Sequence, residues 1–172
     1  MTLIIEDGQG LPDANSYIDE LDAVNFLPSF HMEDWRKMKT KEKFDRLILA
    51  SRFIDTAFRW VGTQKTLEQG LQWPRENVRF QNHGISSDTV PKVIKRASLM
   101  ALVIISEQGM EVFQLNTGVQ IKKEKMAVME IEFFQQTENK ECKSEYDAIN
   151  NLLKGLYVDR RCNVVSVPVE RV

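Results

Sequence analysis

The residues that could catalyse a reaction or hold a metal ion are few and widely separated in this sequence. The two histidines, His31 and His83, lie 52 positions apart, and the two cysteines, Cys142 and Cys162, show no metal-ligand spacing. The "GQG" at residues 8–10 begins like a phosphate loop, but no third glycine and no Lys-Ser or Lys-Thr pair follows it. We therefore predict a turn there, no metal and no cofactor, and we expect the protein not to be an enzyme.

A cluster of basic residues between positions 36 and 46 could bind the phosphates of a nucleic acid, with Trp35 or Phe44 stacked on a base. In the alternative interpretation Phe44 is the first core residue of a helix and the basic residues are its solvated face. Acidic residues are interspersed, and the chain carries 25 acids against 23 bases, so the solvated face is favoured. The cluster consists of Arg36, Lys37, Lys39, Lys41, Lys43 and Arg46.

A long stretch without sustained periodicity, residues 60–89, carries a Trp-Pro-Arg sequence. Pro74 favours an extended backbone at Trp73, and Leu71, two positions earlier, can point to the same side. We expect Trp73 to be buried, with its indole N–H donating to a carbonyl oxygen. Arg75 would then stand outward, free to contact a neighbouring molecule, or brace a carboxylate. The predicted structural anchors of the loop are Trp60, Leu71, Trp73 and Pro74.

The first of the elements that must position these residues is a short helix near the N-terminus. Ser16 is placed to cap it, with Asp19 at the third helical position completing a capping box. Pro28 would stop this helix at about Leu27. Its predicted buried face consists of Tyr17, Leu21 and Val24, with Leu27 or Pro28 at its end.

Three further helices are predicted from apolar residues that recur at helical spacing. The first follows a cap at Thr40 and continues through residues 44–58. The second covers residues 91–108, and because its middle is apolar nearly all round we place it at the centre of the bundle. The last follows a capping box that begins at Ser144 and reaches about Leu156.

The remaining pattern is extended, and it completes a mainly α fold. Residues 119–134 alternate as a β-hairpin does, and alternating valines after residue 157 indicate an extended C-terminal arm. That arm either pairs with another chain or is a frayed or self-packed tail. We predict a bundle of about four helices in residues 1–157, a small hairpin, and an arm at residues 158–172. No apolar run is long enough to cross a membrane.

Four stretches, in this order, resemble a known family: "EDGQGLPDANSYI" at residues 6–18, "RWVGTQKTLEQGLQWPR" at 59–75, "VPKVIKRASLMAL" at 90–102 and "YDAINNLLKGL" at 146–156. They are similar to the small head-to-tail connector, or adaptor, proteins of tailed bacteriophages. Many of those proteins are labelled DnaT-like single-stranded-DNA-binding proteins. The resemblance covers most of residues 3–156, and the first two stretches are the more specific.

The resemblance implies a structural virion protein at the neck, made in the host cytoplasm. Such subunits form a homo-oligomeric ring, typically of twelve copies, beneath the portal protein. The ring extends the DNA channel, contacts the packaged DNA without sequence preference, and offers a docking surface to a tail-side protein. The arm would lie along the portal or a neighbouring subunit.

This interpretation assigns two sets of residues. Those at the subunit or portal interface would be Arg75, Val158, Arg160, Arg161, Val164, Val165, Val167 and Val169. Acidic residues that could line the channel, where phosphates should not be gripped, are Glu130, Glu132, Glu138 and Glu141. Two other functions stay open: a single-stranded-DNA-binding module that uses the basic cluster at 36–46, and an enzyme built on the long loop.

Overall fold

A computed structural model describes residues 2–108 and 143–158 of the chain. The predicted hairpin at 119–134, the four candidate channel glutamates and the arm beyond Val158 lie outside the described residues. Within them the fold is mainly α, as predicted, and it contains two small antiparallel strand pairs. The helices are α1 (Glu20–Phe26), α2 (Ser29–Lys37), α3 (Thr40–Ala57), α4 (Lys92–Gln108) and α5 (Lys143–Leu153).

The centre of the core is α4, as its apolar sequence predicts. It packs against α1, α3 and α5. Ile94, Ala97, Ala101, Leu102 and Ile105 are fully buried along it, at helical spacing. No helix in the described part of the chain is long and apolar enough to cross a membrane.

The start of α1 differs from the sequence prediction. Asp19 is the N-cap: its side chain accepts the N–H of Asp22, whose carboxylate accepts the N–H of Asp19. Ser16 instead lies in an extended segment that bridges to Ile5, and its buried hydroxyl donates to the carbonyl of Ile18. The helix therefore has a different buried face, which includes Ala23. The predicted face is wrong at Leu21, 66% exposed, and at Val24, 39% exposed, although Tyr17 is buried.

A helix that the sequence analysis did not predict, α2, begins directly after Pro28. Its inward side is narrow, with Met32 packed against the core and Trp35 buried at 1% exposure. Charged residues surround this short stripe, so the helical period is weak. The next helix, α3, begins at the predicted Thr40, but Lys39 is its N-cap and no side chain caps it.

The strands lie in the stretch that the sequence analysis treated as irregular. The first pair, β1 (Thr63–Gln64) and β2 (Arg75–Glu76), is antiparallel, and so is the second, β3 (Arg79–Phe80) and β4 (His83–Gly84). Strands of two residues are too short to show a period in sequence. Together the two hairpins fold the loop at 60–89 back onto the helical bundle.

Candidate functional site

The N-terminal glycine turn is folded around a buried carboxylate. Glu6 is fully buried, and its Oε1 accepts the N–H groups of Gly8 at 2.9 Å and Gly10 at 2.8 Å. Its Oε2 accepts the N–H of Leu11 at 2.8 Å. Gly8 has φ +107°, and a Cβ there would lie 2.2 Å from the carbonyl oxygen of Asp88. Backbone N–H groups that a phosphate loop would turn toward a ligand are thus occupied by Glu6, which confirms the predicted turn.

A buried network joins the long loop to α3. The Tyr17 hydroxyl donates to Asp55 Oδ1 and accepts the backbone N–H of Trp73 at 3.0 Å. Asp55 Oδ2 accepts the N–H of Gln72 at 3.0 Å. Burial raises the pKa of Asp55 from 3.8 to about 6, although these hydrogen bonds and the charge of Arg75 act to lower it. Burial and the neighbouring Asp55 also raise the pKa of Tyr17 well above its ordinary value.

Trp73 is completely buried, which confirms the sequence prediction. Its ring meets Trp60 edge to face, with centroids 5.6 Å apart, and Leu71 lies in the same core cluster. The Trp73–Pro74 peptide bond is cis. The carbonyl partner expected for the Trp73 indole N–H is not found among the described residues.

Arg75 does not stand outward, and the expectation that it is free to contact a neighbouring molecule is wrong. The residue is buried, at 8% exposure. Its Nε donates to the carbonyl of Val61 and its Nη2 to the carbonyl of Gly62, each at 2.8 Å. Its Nη1 donates to the backbone and side-chain oxygens of Gln72. The pairing of β1 with β2 brings these acceptors to it, so the planar fork of donors is used inside the loop.

The exposed part of the basic cluster lies where α2 meets α3. We call Arg36, Lys37, Lys39 and Lys41 the basic corner; all four are exposed. Lys37 forms a pair with Glu33 at 3.4 Å, in which both side chains are more than 70% exposed. The other three have no ion pair with any residue that the structure describes. The basic corner is therefore a group of four solvent-exposed cations, of which only Lys37 has an ion pair among the described residues.

The other two residues of the cluster, Lys43 and Arg46, form ion pairs within the protein. Lys43 Nζ lies 2.6 Å from Glu20 Oε1 and 5.7 Å from the centre of the Trp35 ring, and Arg46 pairs with Glu42 at 3.3 Å. Because Trp35 is buried, the suggestion that it stacks on a base is wrong. Phe44 packs against the core, as the solvated-face interpretation requires.

A groove of about 800 Å³ lies between α1 and the beginning of α4. The sequence analysis did not predict it, although Lys92, Lys95 and Arg96 recur at the spacing that places side chains on one helix face. Its lining residues are Glu6, Asp7, Asp22, Phe26, Thr89, Val90, Pro91, Lys92, Lys95, Arg96 and Leu99.

Each of the two histidines contacts another described residue of the protein. His31 Nε2 lies 3.2 Å from Glu107 Oε1, and His83 Nδ1 lies 2.9 Å from the carbonyl oxygen of Gln81. Residues 2–108 and 143–158 contain no group of His, Cys, Asp and Glu side chains that could hold a metal ion. Val158, where the predicted arm begins, is 48% exposed, and its N–H donates to the carbonyl of Arg59 at 2.8 Å.

Comparison with families of known proteins gives a match over the whole chain. A family model with the description "Putative DnaT-like ssDNA binding protein" matches residues 1–172, which is the whole chain. Searches of curated proteins and of solved structures found no significant match.

Proposed function

The chain belongs to this DnaT-like family, and from that membership we propose that it binds single-stranded DNA through the phosphates, at the basic corner. The observation that carries the proposal is that Arg36, Lys39 and Lys41 are exposed without an ion pair among the described residues. Lys and Arg that neutralise phosphates release condensed counterions, and this release is the main source of sequence-independent affinity for nucleic acids.

The free protein gains little from this arrangement of charges. Lys41 lies in the first turn of α3, where the helix dipole disfavours a cation, and Lys39 is the N-cap. Lys39 makes no side-chain cap hydrogen bond, so within the described part of the chain the first N–H groups of α3 are open to an anion. A phosphate would therefore meet both charged side chains and unpaired backbone donors.

The mode of binding follows from where the tryptophans lie. Trp35, Trp60 and Trp73 are all at most 6% exposed, so none of them provides a stacking surface. Proteins that grip single strands through stacking gain about 1 to 3 kcal/mol per base from each such contact. Without stacking on a tryptophan at the basic corner, we expect binding there to show modest affinity, no preference among bases and a strong dependence on salt.

The test is fluorescence anisotropy with a labelled 20-nucleotide oligo(dT) at low salt. The triple variant Arg36→Gln, Lys39→Gln, Lys41→Gln should bind roughly tenfold or more weakly than the unaltered chain, because it loses up to three phosphate contacts. A matched variant removes three exposed cations elsewhere: Arg52→Gln, Arg79→Gln, Lys154→Gln.

The matched variant changes net charge equally, so it should retain most of the affinity. Equal losses in the two variants would mean that only total charge matters, which would contradict the proposal. Failure of the unaltered chain to bind the oligonucleotide would reject it outright.

A second candidate is the head-to-tail adaptor, a ring of copies beneath a portal protein. The observation that favours it is Leu67, which is 95% exposed. The turn that presents it is held from both sides: the N–H of Thr66 donates to Gln69 Oε1 at 3.0 Å, and Gln69 Nε2 donates to the carbonyl of Leu71 at 2.7 Å. A leucine held in solvent in this way would gain free energy from burial if a partner covered it.

Native mass measurement with and without portal protein tests this second candidate. We expect a large ring on the portal, and we expect Leu67→Ser to weaken it without changing the stability of the free subunit. A chain that stays a monomer or dimer and ignores the portal would reject the adaptor function. In that role the tail-side protein and the packaged DNA would be the remaining partners, and the virion neck the location.

A further inference from the structure

We propose that the groove between α1 and the beginning of α4 binds a nucleotide, with the phosphate on Lys92, Lys95 and Arg96 and the base against Phe26. The inference rests on the proposed function for the class of ligand. It concerns a different surface, because the basic corner belongs to α2 and α3 whereas these cations belong to α4.

The cationic wall is the first reason. Lys92, Lys95 and Arg96 lie at i, i+3 and i+4, so they share one face of α4, and all three line the groove. They stand in the first turn and a half of a helix of 17 residues, where the dipole disfavours positive charge, and the first turn contains no acidic residue.

None of the three pairs with an acidic side chain in the described part of the chain. By contrast, α1 begins with Glu20 and Asp22, the charges that the dipole favours. The cations of α4 thus repel one another and the helix end, and no ion pair among the described residues offsets this. An anionic group between them would, more directly than the carboxylates of Asp7 and Asp22 across the groove.

The opposite wall excludes a bare polyanion and selects a ligand with two unlike ends. Asp22 already accepts one N–H through Oδ2, and Asp7 accepts one through Oδ1, which leaves one carboxylate oxygen of each for another donor. A sugar hydroxyl, a base amino group or a ring N–H, such as N3–H of thymine, is such a donor. A phosphate placed beside these carboxylates would be repelled, so the orientation of the ligand is fixed.

Between the two walls the groove is apolar. Phe26 is partly buried, Val90 and Leu99 are buried, and all three line it. An aromatic ring in such a position stacks on any base, because every base has a π-face. A volume of about 800 Å³ is within the range of small-molecule sites. A flat body with an anionic group at one end and hydrogen-bond donors at the other is a nucleotide.

Two sources share this chemistry: a free nucleotide and one unit of a DNA strand. The experiment uses the full chain with three probes, namely dTMP, inorganic phosphate and an eight-nucleotide oligo(dT) containing one 5-iododeoxyuridine. Irradiation of the bound oligonucleotide should cross-link the peptide that contains Phe26, identified by mass spectrometry. Unlabelled dTMP should compete with this cross-link, whereas inorganic phosphate should compete at least tenfold less effectively.

The variant Lys92→Gln, Arg96→Gln removes two exposed cations and keeps good helix formers, so α4 should form normally. We expect dTMP to bind it roughly tenfold more weakly and the cross-link to fall in proportion. The double variant Arg52→Gln, Lys154→Gln is the matched control and should leave both unchanged. The competition in the unaltered chain keeps the test valid even if a variant folds poorly.

The outcomes separate this inference from the proposed function. An unchanged cross-link and unchanged dTMP affinity in the groove variant would overturn the inference, and so would phosphate that competes as well as dTMP. If the triple variant of the basic corner (the corner variant) still binds 20-nucleotide oligo(dT) more weakly, the proposed function holds although the groove inference fails. If dTMP binds in the groove but oligo(dT) does not bind at all, the proposed function fails and the groove is a site for free nucleotides.

Discussion

Arginine serves opposite purposes in the long loop and at the basic corner. Arg75 donates four hydrogen bonds to acceptors within its own loop, whereas Arg36 is exposed without an ion pair among the described residues. Both residues are arginines, so the difference lies in whether the fold brings backbone carbonyl groups close to the side chain. A conspicuous arginine in sequence is therefore a weak indicator of a binding surface.

The same contrast extends to the stretches that carry the family resemblance. Residues 6–18 and 59–75 supply the buried Glu6, the Tyr17 hydroxyl and the core residue Trp73. Their distinctive residues are bonded or packed internally, so they specify the fold. The residues that we propose to contact DNA are ordinary lysines and arginines on helices. Four predictions follow the contrast from its buried side to its exposed side.

The largest effect is expected at the centre of the buried region. Trp73→Ala should lower the free energy of unfolding by about 3 to 5 kcal/mol, because it opens a cavity in the core and removes the contact with Trp60. Urea unfolding measures this. Leu67→Ala, a change at a 95% exposed side chain of the same loop, should change it by less than about 0.5 kcal/mol. A comparable loss at both positions would show that the loop is not anchored through Trp73.

The Asp55 network should make the stability of the protein depend on pH. Its pKa is about 6 when folded and 3.8 ordinarily, so the folded state binds the proton more tightly. That contribution to the free energy of unfolding is complete below about pH 4 and is lost as the pH rises to about 6. The full rise in the pKa of Asp55 corresponds to a change of roughly 3 kcal/mol, as an upper value, in the free energy of unfolding.

The pH dependence is isolated by comparison with Asp55→Asn, which cannot titrate. Urea unfolding of both proteins at several pH values gives a difference curve, in which the loss between pH 4 and pH 6 belongs to Asp55. Tyr17→Phe keeps the ring and removes the hydroxyl, so it should alter the position of that loss. A flat difference curve would mean that the Asp55 carboxyl titrates alike in the folded and unfolded states.

A smaller effect is expected at the glycine turn. Glu6→Gln keeps the shape of the side chain but turns an amide toward backbone N–H groups, so at least one charge-assisted bond is lost. We expect a loss of about 1.5 to 3 kcal/mol in the free energy of unfolding. Asp7→Asn is the neighbouring control; its exposed carboxylate accepts one N–H, from Gln9, and the change should cost about 0.5 kcal/mol or less. Equal losses of stability in Glu6→Gln and Asp7→Asn would show that Glu6 does not hold the glycine turn.

Sequence predicts much of this fold where the pattern is long, and less where two local patterns overlap. The helices α3 and α4 show sustained apolar periods, and their bounds agree with the prediction within one or two residues. Ser16, Asp19 and Asp22 repeat at intervals of three, so two capping boxes compete, and the bridge from Ile5 to Ser16, together with the buried contact of Ser16 with Ser51, decides between them. That bridge joins residues eleven positions apart, which no helical pattern reveals.

The site is less predictable, because its partners are distant in the chain. Two of the four acceptors for Arg75 come 13 and 14 positions earlier, and the acid that pairs with Lys43 lies 23 positions away. From sequence, Lys43 and Lys41 are equivalent members of one cluster. The structure separates them: one is paired with Glu20 beside a buried tryptophan, and the other is in solvent.

The smallest effect on stability is expected at the basic corner. The triple variant Arg36→Gln, Lys39→Gln, Lys41→Gln should change the free energy of unfolding by no more than about 0.5 kcal/mol, because these side chains are exposed and form no ion pair among the described residues. Thermal unfolding at matched salt checks this. A loss of several kcal/mol would mean that the corner, like the loop, is part of what holds the fold together.

The dependence of oligo(dT) affinity on salt tests the central claim most directly. For single strands the slope of log affinity against log salt changes by about 0.7 for each phosphate contact. The account predicts that the corner variant has a slope shallower by roughly 2 than the unaltered chain, while the matched variant at positions 52, 79 and 154 keeps the original slope. An unchanged slope in the corner variant would contradict it.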